Sequence, residues 1–112
     1  MLKILMAVII VVPTVTAETV SKEFKENEIT AEEKYKKQEY IITGVVKSVS
    51  KGTEEGTAEV CTESLIYIVV PLKANKKVLV ALKAGDKISC KCRFSSNLIS
   101  PEFKGKEIKN VK

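Results

Sequence analysis

The chain has 112 residues, with 19 Lys and Arg against 14 Asp and Glu, a formal net charge of +5, and neither His nor Trp. A chain of this length builds one domain around one modest core. Without His, the usual general base near neutral pH and the commonest metal ligand are both missing, and the mild basic surplus is compatible with phosphates, acidic polysaccharide or lipid headgroups, or with solubility alone.

Residues 1–17 read as a secretory signal peptide. Lys3 gives a positive start, Ile4 to Val12 is a continuous apolar run, and Pro13 breaks it. Val15-Thr16-Ala17 then offers small residues at the −3 and −1 positions of a cleavage site before Glu18. The run is shorter than the roughly 20 residues a membrane span needs, and no Cys follows Ala17 to carry a lipid, so no stable membrane span is expected after cleavage. The other reading of the run is a buried N-terminal strand or helix. Cleavage removes one charge, Lys3, and leaves a net +4. The expected location is periplasmic or secreted.

Residues 18–112 are then a single domain with a helical N-terminal segment. Glu18 to Lys37 is highly charged and helix-friendly, with Val20, Phe24 and Ile29 as a thin apolar line. A helix near 19–27 and a second near 31–36 follow, the second opened by a capping box between Thr30 and Glu33. The period then changes. Tyr40, Ile42, Val45, Val46 and Val49 lie in a β-branched run, and Gly44 inside it reads as a bulge or bend. Residues 51–56 are a turn. Thr57 to Thr62 alternates, with Ala58 and Val60 on one face and Glu59 and Cys61 on the other. Leu65 to Leu72 is apolar enough for a central strand. Asn75 to Ala84 carries Val78, Leu79 and Leu82 at helical spacing, which predicts a helix at about 75–83 with Asn75 as its N-cap. Lys87 to Phe94 alternates cleanly, with Ile88, Cys90, Cys92 and Phe94 inward and Lys87, Ser89, Lys91 and Arg93 outward. Ser95 to Gly105 reads as a loop and Glu107 to Val111 as a last short strand.

The order of three strands, a helix and two strands, with a bent first strand, is that of an OB-fold, a mainly β five-stranded Greek-key barrel with a helix between strands three and four. A small curled sheet of another topology is the alternative.

Several short segments resemble one family. Phe24-Lys25-Glu26-Asn27-Glu28-Ile29-Thr30-Ala31-Glu32-Glu33-Lys34-Tyr35-Lys36 is similar to the opening of the tRNA-anti-like family of small bacterial and phage OB-fold proteins, which carries an aromatic, an Asn-Glu pair, an Ala and a Lys-Tyr-Lys. Ile42-Thr43-Gly44-Val45 resembles the family's Thr-Gly-x-Val strand, and Leu82 to Ile88 its helix end and fourth-strand start. The resemblance covers about 24–94 and implies an OB-fold. The family often has a Cys ending its third strand and another late in its fourth. This chain has Val69 or Val70 and Phe94 near those places, so no family disulfide carries over.

The chain's own cysteines are Cys61, Cys90 and Cys92. One disulfide fits an oxidising compartment and leaves one thiol over. Cys90-Lys91-Cys92 lacks C-x-x-C spacing, and no second Cys pair exists to build a zinc site. Residues i and i+2 of a strand have Cα atoms roughly 6.5–7 Å apart, at the outer limit for a bridge. Alternation points Cys61 away from the core. The expectation is therefore three free thiols with Cys61 the more exposed; a Cys61–Cys92 bridge, needing a bulge near 61–64, is the alternative.

No motif gathers catalytic groups, so neither enzyme activity nor a cofactor is expected. Binding of nucleic acid on an OB face needs aromatics to stack bases and cations to follow the backbone. The candidates are Tyr67 and Tyr40 with Lys47, Lys73, Lys91 and Arg93. The favoured function is a monomeric exported binding or regulatory module acting on a cell-envelope protein or anionic polymer, with phage- or plasmid-borne envelope defence as one form of it. The alternative is binding of single-stranded nucleic acid or oligosaccharide.

Overall fold

The computed structural model describes residues 11–111. Residues 1–10, most of the expected leader, lie outside that range. The elements are β1 (Thr14–Thr16), α1 (Ala17–Glu26), α2 (Glu28–Lys36), β2 (Tyr40–Lys51), β3 (Thr57–Thr62), β4 (Tyr67–Pro71), α3 (Leu72–Ala81), β5 (Lys87–Ser96) and β6 (Glu102–Val111). No helix among the described residues is long and apolar enough to cross a membrane.

The sheet runs in the order β1-β2-β3-β4-β6-β5, and β5 pairs again with β2. Hydrogen bonding therefore follows a circuit of five strands, with β1 added outside it. The β1–β2 and β4–β6 pairs are parallel and the others antiparallel. The architecture is mainly β and OB-fold-like. It has six strands rather than the expected five, because residues 14–16 of the expected leader form β1. This strand pairs with Ile41–Thr43, and the Ile41 N–H donates to the Pro13 carbonyl at 2.9 Å.

Ile42, Val46, Val60, Ile68, Ile88, Phe103 and Ile108 fill the interior; each such side chain contributes about 1.5–3 kcal/mol on leaving water. The two N-terminal helices cover one end. Ala17, Val20 and Phe24 line one side of α1, and Ala31 and Tyr35 one side of α2. Phe24 stacks on Tyr35 and on Phe94, with ring centroids 5.9 and 5.6 Å apart, and Phe103 meets Tyr35 edge-on at 5.7 Å. Offset and edge-on pairs of this kind are favoured by the ring quadrupoles.

Several local expectations change. The cap of α2 is Asn27, whose side chain accepts from the Thr30 N–H, so the helix starts before the Thr30–Glu33 box. The bulge in β2 falls at Lys47, between the Val46 and Ser48 registers, and not at Gly44. Gly44 instead marks a close approach: a Cβ there would stand 3.0 Å from Thr62 Cγ2 and 3.1 Å from the Ala17 Cβ. Helix α3 follows β4 directly from Pro71, with no side-chain cap, so Asn75 lies inside it. The expected 95–105 loop shrinks to residues 97–101, since β5 and β6 continue into it.

Cys61 is buried, not exposed. It does lie off the core side, as alternation requires, but Tyr67 sits opposite it on β4 and covers it. Strand β2 separates β3 from β5, and Cys61 pairs with Ser48 while Cys92 pairs with Tyr40. Those partners are at opposite ends of β2, so the fold does not bring Cys61 to Cys92.

Candidate functional site

The outward residues of β5 and β6, with the start of β2, line an open concavity of about 690 Å³. Its walls are Glu39 and Ile41 from β2 and its approach, Ser89, Lys91 and Arg93 from β5, and Lys104 to Glu107 and Lys109 from β6. Alternation puts them there. Ile88, Cys90, Cys92 and Phe94 turn into the core, so their neighbours face water. Arg93 lies opposite Lys104 and Ser89 opposite Lys109. Successive outward positions on β5 are about 6.6 Å apart, so the cations form a ladder along the strand pair.

Five cations and two carboxylates line this face, a net of +3. The described residues, which leave out Lys3 and Lys112, also carry +3 in all. The rest of the described surface is therefore neutral on balance, and the whole excess sits on one face. Lys104 is ion-paired with Glu54 at 3.1 Å. Among the described residues no ion pair engages Lys91, Arg93, Lys106 or Lys109. The face carries no aromatic side chain; Ile41, opposite Lys91, is its apolar element.

Of the candidates from sequence, Lys91 and Arg93 meet here. Lys47 is exposed on the β2 bulge and Lys73 on the first turn of α3, and neither lines the face. Tyr40 is buried in the aromatic cluster, 4.8 Å from the Tyr35 ring. Tyr67 is half-buried in a separate cleft with Glu59, Glu102, Leu98 and Ile99. There the Glu59 carboxyl is held above its ordinary range, first by burial and then by the charge of Glu102. A hydrogen bond with Cys61 pushes the Tyr67 phenol up. That cleft repels anions.

Sequence reasoning missed Lys104, Lys106 and Lys109 because it read 95–105 as a loop and only 107–111 as a short strand, and so did not see the single strand that carries all three beside Lys91 and Arg93. The signal was the pair Phe103 and Ile108, both wholly buried, with charged residues around them. No group of three or more metal-ligating side chains gathers among the described residues.

No curated protein matches the chain. Among solved structures, a Klebsiella pneumoniae protein described as a candidate nucleic acid-binding lipoprotein is 16% identical with a TM-score of 0.60, over 90% of this chain and 92% of that one. A chain of the S. pombe Stn1–Ten1 complex is 10% identical with a TM-score of 0.52; the match covers 66% of this chain and only 58% of that one. An OBody bound to hen egg-white lysozyme is 16% identical with a TM-score of 0.53, over 67% of this chain and 94% of that one. At these identities the likeness is one of fold. The model of the tRNA_anti-like family matches residues 3–104, nearly the whole sequence, and the chain therefore belongs to that family.

Proposed function

We propose that the protein is a non-catalytic, exported OB-fold module that binds an extended anionic polymer of the cell envelope along the β2–β5–β6 face. On this reading the five-strand circuit is the Greek-key barrel of an OB-fold. The observation that carries the proposal is the concentration of the net charge on one concave, aromatic-free surface. Such a surface follows a charged backbone without stacking on bases. The face that OB-folds most often use, on their second and third strands and the adjoining loops, corresponds here to β3 and β4. It presents Glu59 and Glu102, which disfavour a polyanion on that side.

Single-stranded nucleic acid is the second reading, favoured by the description of the Klebsiella relative. The test compares inorganic polyphosphate, polygalacturonate and an oligothymidylate of similar charge. Binding to all three is expected, with log K falling against log salt at a slope of about −3 to −4 for four or five cations. Lys91→Ala with Arg93→Ala should lower that slope by about 1.5. Marked preference for the oligonucleotide moves the assignment to the second reading. Salt-insensitive binding, or binding indifferent to the double substitution, rejects the site.

A further inference from the structure

Strand β6 carries one residue more than β5 across the cationic face. Cys90 faces Ile108 and Cys92 faces Gly105, so Lys106 and Glu107 together oppose Lys91. The burial pattern records the same step. Phe103 is buried and Gly105 faces inward onto Cys90, so uninterrupted alternation would turn residue 107 inward next. Instead Lys106 and Glu107 are both exposed and Ile108 is buried. Bulges re-aim side chains in this way. Without the extra residue Ile108 would face water and Lys109 would face the core, and the cation ladder would lose its far end.

The β4–β6 pairing stops at Val69 and Lys104, and beyond it a side chain of α3, the helix that follows β4, meets the β6 backbone on both sides of the bulge. Asn75 of α3 is 3% exposed. Its amide nitrogen donates to the Lys106 carbonyl at 2.9 Å, and its oxygen accepts from the Ile108 N–H at 2.9 Å. The same nitrogen donates to the Pro71 carbonyl at 2.8 Å, which fixes the side chain against its own helix. The two contacts on β6 flank Glu107, the centre of the bulge.

We propose that Asn75 is a positioning residue of the polyanion face: it clamps the β6 bulge and so sets Lys106 and Lys109 on the outer side. The proposal rests on the binding reading above. It assigns to a buried amide that does not line the cationic face a role in ligand recognition.

The test uses the full chain with inorganic polyphosphate as probe. For Asn75→Ala, the Ile108 amide should lose its protection from hydrogen exchange. Affinity should fall about three- to ten-fold, and the salt slope should flatten by about one phosphate contact, at temperatures where the variant is folded. Val60→Ala in β3, which lowers stability by opening a cavity away from the bulge, should leave affinity and slope at wild-type values. Asn75→Gln keeps the amide but shifts it by one methylene; it should show the same changes at smaller size, and it decides the matter if Asn75→Ala does not fold. A folded Asn75→Ala or Asn75→Gln with wild-type affinity and slope overturns the positioning role alone. A wild-type protein that binds no polyphosphate overturns the binding reading, and this inference with it.

Discussion

Gly105 and Cys90 pack so closely across the β5–β6 pair that a Cβ on Gly105 would overlap the Cys90 Sγ; it would also stand 2.9 Å from the Lys91 carbonyl oxygen. The strand on which three of the face's five cations sit thus approaches its neighbour through a residue with no side chain. Gly105→Ala is expected to destabilise the fold by about 1–3 kcal/mol, the usual cost of overpacking, seen as a lower urea midpoint at unchanged m. Adding Cys90→Ala removes the overlap with sulfur but not that with the carbonyl, so it should recover only part of the loss. A wild-type midpoint for Gly105→Ala would contradict this packing.

The end of the expected leader has a structural role. Thr16 caps α1, accepting from the Thr19 N–H at 3.1 Å, and Ala17 is 2% exposed. A chain starting at Glu18 should be less stable than one starting at Thr14 by about 1–2 kcal/mol, most of it the lost cap. Denaturant titration of the two chains measures this. Intact mass of protein from a fractionated native host is expected to show cleavage after Ala17; a cytoplasmic product retaining Met1 would overturn export.

Thiol counting on denatured, non-reduced protein is expected to give three free thiols. Cys90 and Cys92 are both core-facing on one extended strand, and Cys61 pairs at the other end of β2. A single free thiol with a mapped Cys61–Cys92 crosslink would falsify this arrangement.

The pH dependence carries a signature of Glu59. Its folded pKa is raised, by burial first and by Glu102 second, so the folded state holds this proton more tightly than the unfolded state does. Its contribution to stability is therefore most favourable at low pH and falls as pH rises from the ordinary glutamate value through the raised one. Glu59→Gln should raise the melting temperature at pH 7 and change little at pH 4. The carboxyl is partly solvated, so the gain should stay below about 0.5 kcal/mol. A lower melting temperature at pH 7 would show that the carboxylate has a stabilising partner.

The relocated site makes its own prediction. Lys106→Ala and Lys109→Ala should each flatten the polyphosphate salt slope by about 0.7–0.9, while Lys47→Ala and Lys73→Ala leave it at the wild-type value. Equal effects from all four would mean diffuse attraction without a site.

The strand from 87 onward was legible because its alternation is uninterrupted, and this placed Lys91 and Arg93 on an outer face correctly. Its partner was not, because the bulge at Lys106 and Glu107 breaks the period of two and disguises a ten-residue strand as a loop and a fragment. Asn75 misled for a related reason. Asn before an apolar helical run signals a cap, yet here the residue serves a contact 31 and 33 positions away, which no local pattern encodes. Strand β1 was hidden by its composition: Thr14 to Thr16 fits a cleavage region as well as it fits a short strand. Cys61 was placed on the correct side by alternation, but its burial depends on Tyr67 across the ladder.

The pairing of Tyr40 with Cys92 joins positions 52 apart, and that of Tyr67 with Glu102 joins positions 35 apart. The β2–β5 seam needs residues 87–92 and the β4–β6 seam residues 102–104, so neither forms before the last quarter of the chain begins to emerge from the ribosome. Such distant pairings also slow folding once the chain is complete. A nascent chain of this topology therefore cannot close its circuit of strands through most of its synthesis, as the proposed export of an incompletely folded chain would require.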